Sequence, residues 1–276
     1  MEILFNELSL TGQFSNQNDF VKNALLPFIR VLKEMQEFAT LLLKKSDVWS
    51  NKVTPTINLY SFLIASCRTD EVRRFKSAIA NLTKEPFWDS DIKQDSGTAY
   101  FFNGSDIAGS SPAEACERDK VVVSFLSSPA SLSPLNIVRN DITVPLVNLT
   151  VYGNLTEFLW DTKKISFESY LKERFSRGKL DFSRVDINIL SSGVQTTEQS
   201  LFIDTFRKFD ELTWGQIYTD TGLEYKRFHG TLVASCKGAK TDKFRVSQKF
   251  RCHGYRENDS FIVVKFETDH KMSDHG

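Results

Sequence analysis

Apolar residues recur along this chain with two periods, and the change of period marks its elements. Between Asn18 and Lys45 they fall at steps of three and four: Phe20, Ala24, Phe28, Val31, Leu32, Met35, Phe38, Ala39 and Leu42. This spacing predicts a long helix with one buried stripe, kinked or restarted at Pro27. The same period predicts helices over 70–83, 165–177 and 197–209, and a short one over 213–220 with Thr213 as its cap. Ser111-Pro112-Ala113-Glu114 reads as a helix start, with Ser111 as cap and Pro112 at the first helical position. Alternation and β-branched runs predict strands at 2–10, 98–102, 120–126, 141–146, 149–152 and 185–190. Three more follow near the end, at 243–247, 250–256 and 261–268, with Glu257-Asn258-Asp259-Ser260 as the turn between the last two.

The elements add up to an α+β protein. Its 276 residues suffice for two modest domains. Arg177-Gly178-Lys179 interrupts the pattern, which sets an N-terminal mixed α/β domain at 1–180 and a smaller C-terminal domain at 181–276. The latter reads strand, helix, helix, then three or four antiparallel strands.

Charge changes the picture only locally. The chain holds 35 basic and 35 acidic residues, so its formal net charge is zero. Lys226–Arg256 nevertheless carries nine Lys or Arg against one acid, Asp242. A basic, aromatic-laced patch on an otherwise acidic chain is a footprint for a polyanion. Alternation gathers Arg245, Arg251 and His253 on one face of these strands. The other reading of each cation is a solvated sheet edge, since long basic side chains often cover apolar surface. The start of the chain lacks a basic region followed by an apolar run, no stretch reaches the length of a membrane span, and four scattered cysteines suit reduced thiols. A cytoplasmic protein without membrane contact is expected.

The residues suit RNA chemistry. Cleavage through the 2′-hydroxyl needs a base, an acid for the leaving oxygen and cations for the developing charge. Histidine serves either proton role near neutrality, and arginine grips phosphate through its planar fork. The candidate catalytic residues are Arg251, His253 and His270. The candidate nucleic-acid-binding residues are Lys226, Arg227, His229, Lys243, Arg245, Lys249, Tyr255 and Arg256, with Tyr255 and Phe228 as stacking surfaces. No metal or other cofactor is required. A rival zinc set, His229, Cys236, Cys252 and His253, fits no usual finger spacing, and adjacent Cys252-His253 point to opposite faces of a strand.

The element order, His229-Gly230, the strand pair KFRVSQKFRCHGY (Lys243–Tyr255) and the terminal FIVVKFETDHK (Phe261–Lys271) together resemble the RelE/YoeB/ParE superfamily of small toxins. The resemblance covers roughly Val185–Lys271. It implies a helical pair packed on a twisted antiparallel sheet. It also implies Arg251 as the hairpin arginine and His270 as the tail histidine; the family's acidic base has no clear counterpart, Glu224 and Glu211 being the candidates. A toxin-like module on a large unrelated domain looks like a bacterial antiphage-defence effector. Two functions follow: a metal-independent endoribonuclease of a defence or toxin–antitoxin system, or a non-catalytic module that binds nucleic acid or an acidic protein. RNA, an antitoxin or a defence-complex protein would be the partner.

Overall fold

Strands covered on both faces must be apolar on both faces, and the first sheet is built around such runs. β1 (Glu2–Phe5) lies between β2 (Leu41–Leu43) and β5 (Val121–Val123), all three parallel. Ile3, Leu4, Phe5 and the three valines are buried. The structure, a computed structural model, describes residues 1–65, 73, 76–77, 79–80, 84–126, 132–185, 194–229 and 241–268. All of the strand expected at 185–190 except Val185, and most of the helix expected at 70–83, fall outside them.

The remaining strands of this sheet are β7 (Ile142–Leu149), parallel to β5, then β6 (Leu135–Arg139), β3 (Tyr100–Phe102) and β4 (Ser105–Asp106) in antiparallel succession. The seven strands lie in the order β2-β1-β5-β7-β6-β3-β4. The sequence reading splits β7 into two strands and misses β6. Asn140 and Asp141, both with positive φ (44° and 67°), make the two-residue turn that joins β6 to β7. A buried polar chain ties the parallel strands: Asn6 donates to Ser124 Oγ (2.9 Å), which donates to Asn148 Oδ1 (2.7 Å).

The long helix forms in two pieces. α1 (Gln17–Phe20) passes through a π-helical turn, Val21–Leu25, into α2 (Leu26–Glu37). Pro27 lies in the first turn of α2, directly after the π-helical turn. The helix ends sooner than predicted. Ala39 turns to positive φ (48°), and Leu41–Leu43, expected to be helical, pair with β1 instead. Three consecutive leucines satisfy either period; the open edge of β1 decides. α3 (Leu59–Ile64) follows, then α4 (Ser111–Cys116), whose cap is Ser110 rather than Ser111.

The chain divides into two compact units, Met1–Leu155 and Thr156–Gly276. The division lies upstream of the break read at Arg177-Gly178-Lys179, because α6 (Phe167–Phe175) buries Phe167, Tyr170, Leu171 and Phe175 in the core of the second unit. α5 is the helix Asn154–Asp161. The second unit packs α6, α7 (Thr196–Glu211) and α8 (Trp214–Thr219) with a five-stranded sheet. Its strands are β8 (Leu180–Asp181), β9 (Lys226–Arg227), β10 (Asp242–Arg245), β11 (Arg251–Glu257) and β12 (Ser260–Glu267), in the order β8-β12-β11-β10-β9. All pairs are antiparallel except β8 with β12. The α+β class holds, and the last three strands lie close to their predicted positions.

The core of this unit is largely phenylalanine. Phe206 meets the rings of Phe175, Phe182, Phe202, Phe244 and Phe266 at centroid distances of 5.4–6.2 Å. Such pairs add to the burial of large apolar side chains. Phe206→Ala should lower the urea midpoint by the equivalent of about 3–5 kcal/mol; a loss below ~1 kcal/mol would show that ring packing does not hold the layer together. Gly254 lies opposite the bulge in β12, where the register shifts by one residue, and a Cβ there would collide with the Ile262 carbonyl and the Phe261 ring. Gly254→Ala should therefore also destabilise, by about 1–3 kcal/mol, in the same measurement.

Candidate nucleic-acid interface

β10 and β11 pair so that Lys243 lies opposite His253 and Arg245 opposite Arg251. Phe244 and Cys252, the alternate residues, enter the core with the helices. Alternation thus places Lys243, Arg245, Arg251, His253 and Tyr255 on the other face of the sheet. The convergence expected from the sequence is present in the backbone, but most of these groups are buried and already engaged.

Arg251 is only 8% exposed. Its Nη1 donates to the carbonyl oxygens of Ser247, Gln248 and Phe250, which makes it the clamp of the β10–β11 turn. Arg245 pairs with Glu224 at 2.7 Å. Lys243 is buried, with its ammonium 5.3 Å from the Phe228 ring centroid. Tyr255 and Phe228, expected to stack a base, are buried as well. The Tyr255 hydroxyl accepts from Arg184, and Phe228 packs edge-on against His253 at 4.6 Å. His270 lies outside the described residues. So does Cys236 of the zinc set, while Cys252 faces the core and His253 the opposite side.

His253 is fully buried, with Nε2 2.8 Å from Glu267 Oε2. A carboxylate only accepts, so opposite ionised Glu267 the Nε2 carries the proton and Nδ1 presents its lone pair. Among the described residues Nδ1 has no hydrogen-bond partner. Burial holds the imidazole below its ordinary pKa, opposed by the bond to Glu267 and assisted by Lys243 and Lys265. The arrangement is an oriented, neutral imidazole, competent as a base but fully buried.

A different group of side chains reaches the surface through Arg256, Tyr218 and Arg227. On the helix-covered face, Arg256 lies 4.1 Å over the Trp214 ring and donates to the Tyr218 hydroxyl (2.7 Å) and the Asn258 carbonyl (2.8 Å). Tyr218 is half exposed and sits edge-to-face with Tyr225 at 5.3 Å. The Tyr225 hydroxyl donates to Asp242 (2.9 Å), which also pairs with Arg227 at 3.1 Å. Burial and the Asp242 charge push the Tyr225 phenol above its ordinary pKa. The cluster therefore runs from Arg256 through Trp214, Tyr218 and Tyr225 to Arg227. Sequence reasoning names both arginines and misses the aromatic residues between them. The i, i+4 spacing of Trp214 and Tyr218 on α8 is the signal that points to them.

Lys226, Arg227 and His229 are exposed along β9 and just beyond it, at one edge of the sheet. Lys249 is exposed in the β10–β11 turn, 3.5 Å from Glu198. At the opposite edge a cleft of about 420 Å³ is lined by Lys172, Leu180, Asp181, Phe182 and Ser260. No helix among the described residues is long and apolar enough to cross a membrane. Comparison with protein-family models, curated proteins and solved structures finds no match to this chain.

Two measurements check these roles. Arg251→Ala should cost about 1–3 kcal/mol by leaving turn carbonyls without their donor, while binding of polyanions by the folded variant stays within about twofold of wild type. For His253, the folded state takes up a proton less readily than the unfolded chain. Its contribution is full above the unfolded pKa of about 6.5 and declines as the pH falls below it. Wild type should lose stability between about pH 7 and pH 5, and His253→Gln should flatten that slope in urea titrations. An unchanged slope would remove His253 as its source.

Proposed function

We propose that the unit Thr156–Gly276 is a nucleic-acid-binding module, with RNA as its expected ligand, which binds without cleaving. It would serve a cytoplasmic bacterial antiphage-defence or toxin–antitoxin assembly, and a defence-complex protein or antitoxin would be its protein partner. One observation carries the choice of binding over cleavage. Arg251 and His253 are buried and bonded within the fold, whereas Lys226, Arg227, His229, Lys249 and Arg256 are exposed. Exposed cations can neutralise phosphates and release counterions without any rearrangement of the protein. The resemblance to small toxins supports the defence setting.

Cleavage is the second reading, and one observation favours it: the lone pair of His253 Nδ1, held in place by Glu267. In that reading Nδ1 accepts the 2′-hydroxyl proton as the oxygen attacks phosphorus. The P–O5′ bond breaks and the departing 5′-oxygen takes a proton from solvent water, leaving a 2′,3′-cyclic phosphate and a 5′-hydroxyl.

Fluorescence anisotropy with a labelled RNA should show affinity falling steeply with salt. Lys226→Ala with Arg227→Ala should reduce the logarithmic salt slope by about 0.7 for each phosphate that is no longer neutralised. RNA recovered after long incubation with chelator should be intact. Degradation without metal that His253→Ala abolishes would establish cleavage instead, and failure to bind any polyanion would end both readings.

A further inference from the structure

We infer that the Arg256–Trp214–Tyr218 cluster is a stacking platform for an unpaired base, so that the ligand of this unit is single-stranded nucleic acid rather than a duplex. The inference rests on the nucleic-acid-binding reading and narrows it.

The guanidinium of Arg256 is fixed on three sides. Trp214 lies beneath it at 4.1 Å, the Tyr218 hydroxyl accepts from Nη1, and the Asn258 carbonyl accepts from Nε. Trp214 is itself fixed: it is 8% exposed, and its Nε1 donates to the Asp259 carbonyl at 3.3 Å. Arg256 is nonetheless exposed. An indole lies against the guanidinium and the Tyr218 ring centroid is 6.0 Å away, yet the side chain keeps surface exposed to solvent. A long, flexible side chain ordinarily loses rotamer entropy when it binds; here that loss is already incurred in the free protein. Beside it Tyr218 is half exposed, an aromatic ring held against Trp214 and Tyr225 at 5.8 and 5.3 Å. Guanidinium and phenol planes of this kind are what unstacked bases pack on.

Local charge favours a base over a phosphate at this spot. Glu257 and Asp259 occupy the same turn as Arg256, and Asp220 at the end of α8 pairs with Lys208. Carboxylates repel phosphate but leave stacking unaffected. The phosphates of a strand laid across the platform are met at the β9 edge by Arg227, which pairs opposite Asp242 and so shares the helix-covered face. That edge is two strand spacings from β11, about 10 Å, within the reach of neighbouring nucleotides. A duplex keeps its bases stacked on one another and cannot use the platform.

The test compares single-stranded RNA with a duplex of equal charge, and follows 2-aminopurine fluorescence placed along the single strand. The single strand should bind at least about tenfold more tightly, and 2-aminopurine should be quenched at one position. Tyr218→Ala and Arg256→Lys should each lower single-strand affinity about five- to fiftyfold, as loss of one stacked base does, and Tyr218→Ala should leave duplex binding unchanged. Both side chains are exposed, so the variants should fold; circular dichroism checks this. Equal binding of both forms, or variants that weaken them alike, would overturn the platform while nucleic-acid binding stands. Binding of neither form would overturn both.

Discussion

The pairing of β11 with β10 and β12 assigns every side chain of the C-terminal sheet to its face. Phe244, Cys252, Phe261, Val263 and Phe266 turn to the helices, where they join Phe202, Phe206 and Phe209. Lys243, Arg251 and His253 must then turn the other way. The shift of register between His253 and Gly254 is part of the same constraint. Gly254 lets the Phe261 ring and the Ile262 carbonyl come close, and β11 runs on to Arg256 over Trp214. The aromatic core and the exposed arginine are thus consequences of one ladder.

Burying cations is costly unless each finds a partner, and the unit meets that condition in different ways. Arg251 directs its donors to turn carbonyls. Lys243 rests near an aromatic face, and His253 stays neutral beside Glu267. Each solution stabilises a loop or a strand pair, and each withdraws a group from any ligand outside. The described basic residues of Lys226–Arg256 therefore divide into a part that holds the fold and a part left on the rim.

That division is not legible in the sequence. Alternation locates the strands, their turn at Glu257–Ser260 and the shared face of Arg245, Arg251 and His253. Capping chemistry locates α8, with Thr213 as cap. Burial stays hidden, because period two says which residues share a face and nothing of what covers it. For this reason the sequence offers Tyr255 and Phe228 as stacking surfaces, whereas Tyr218, on a helix with a merely structural pattern, is the exposed ring. The strand at Leu41–Leu43 is hidden for a related cause: local periodicity allows a helix, and only the distant edge of β1 selects a strand. The β6–β7 hairpin escapes because its turn is Asn-Asp rather than a glycine pair.

β9 has a consequence of its own. It is two residues long, both basic and both exposed, and it ends one side of the five-stranded sheet. A sheet edge that no described residue pairs can recruit a strand from a second copy, the first step towards fibrils. Brevity limits the hydrogen bonds on offer, and like charge on every copy opposes their approach at low salt. The positive margin therefore also acts as a guard against self-association, in a unit whose phenylalanine-rich interior would aggregate readily if exposed.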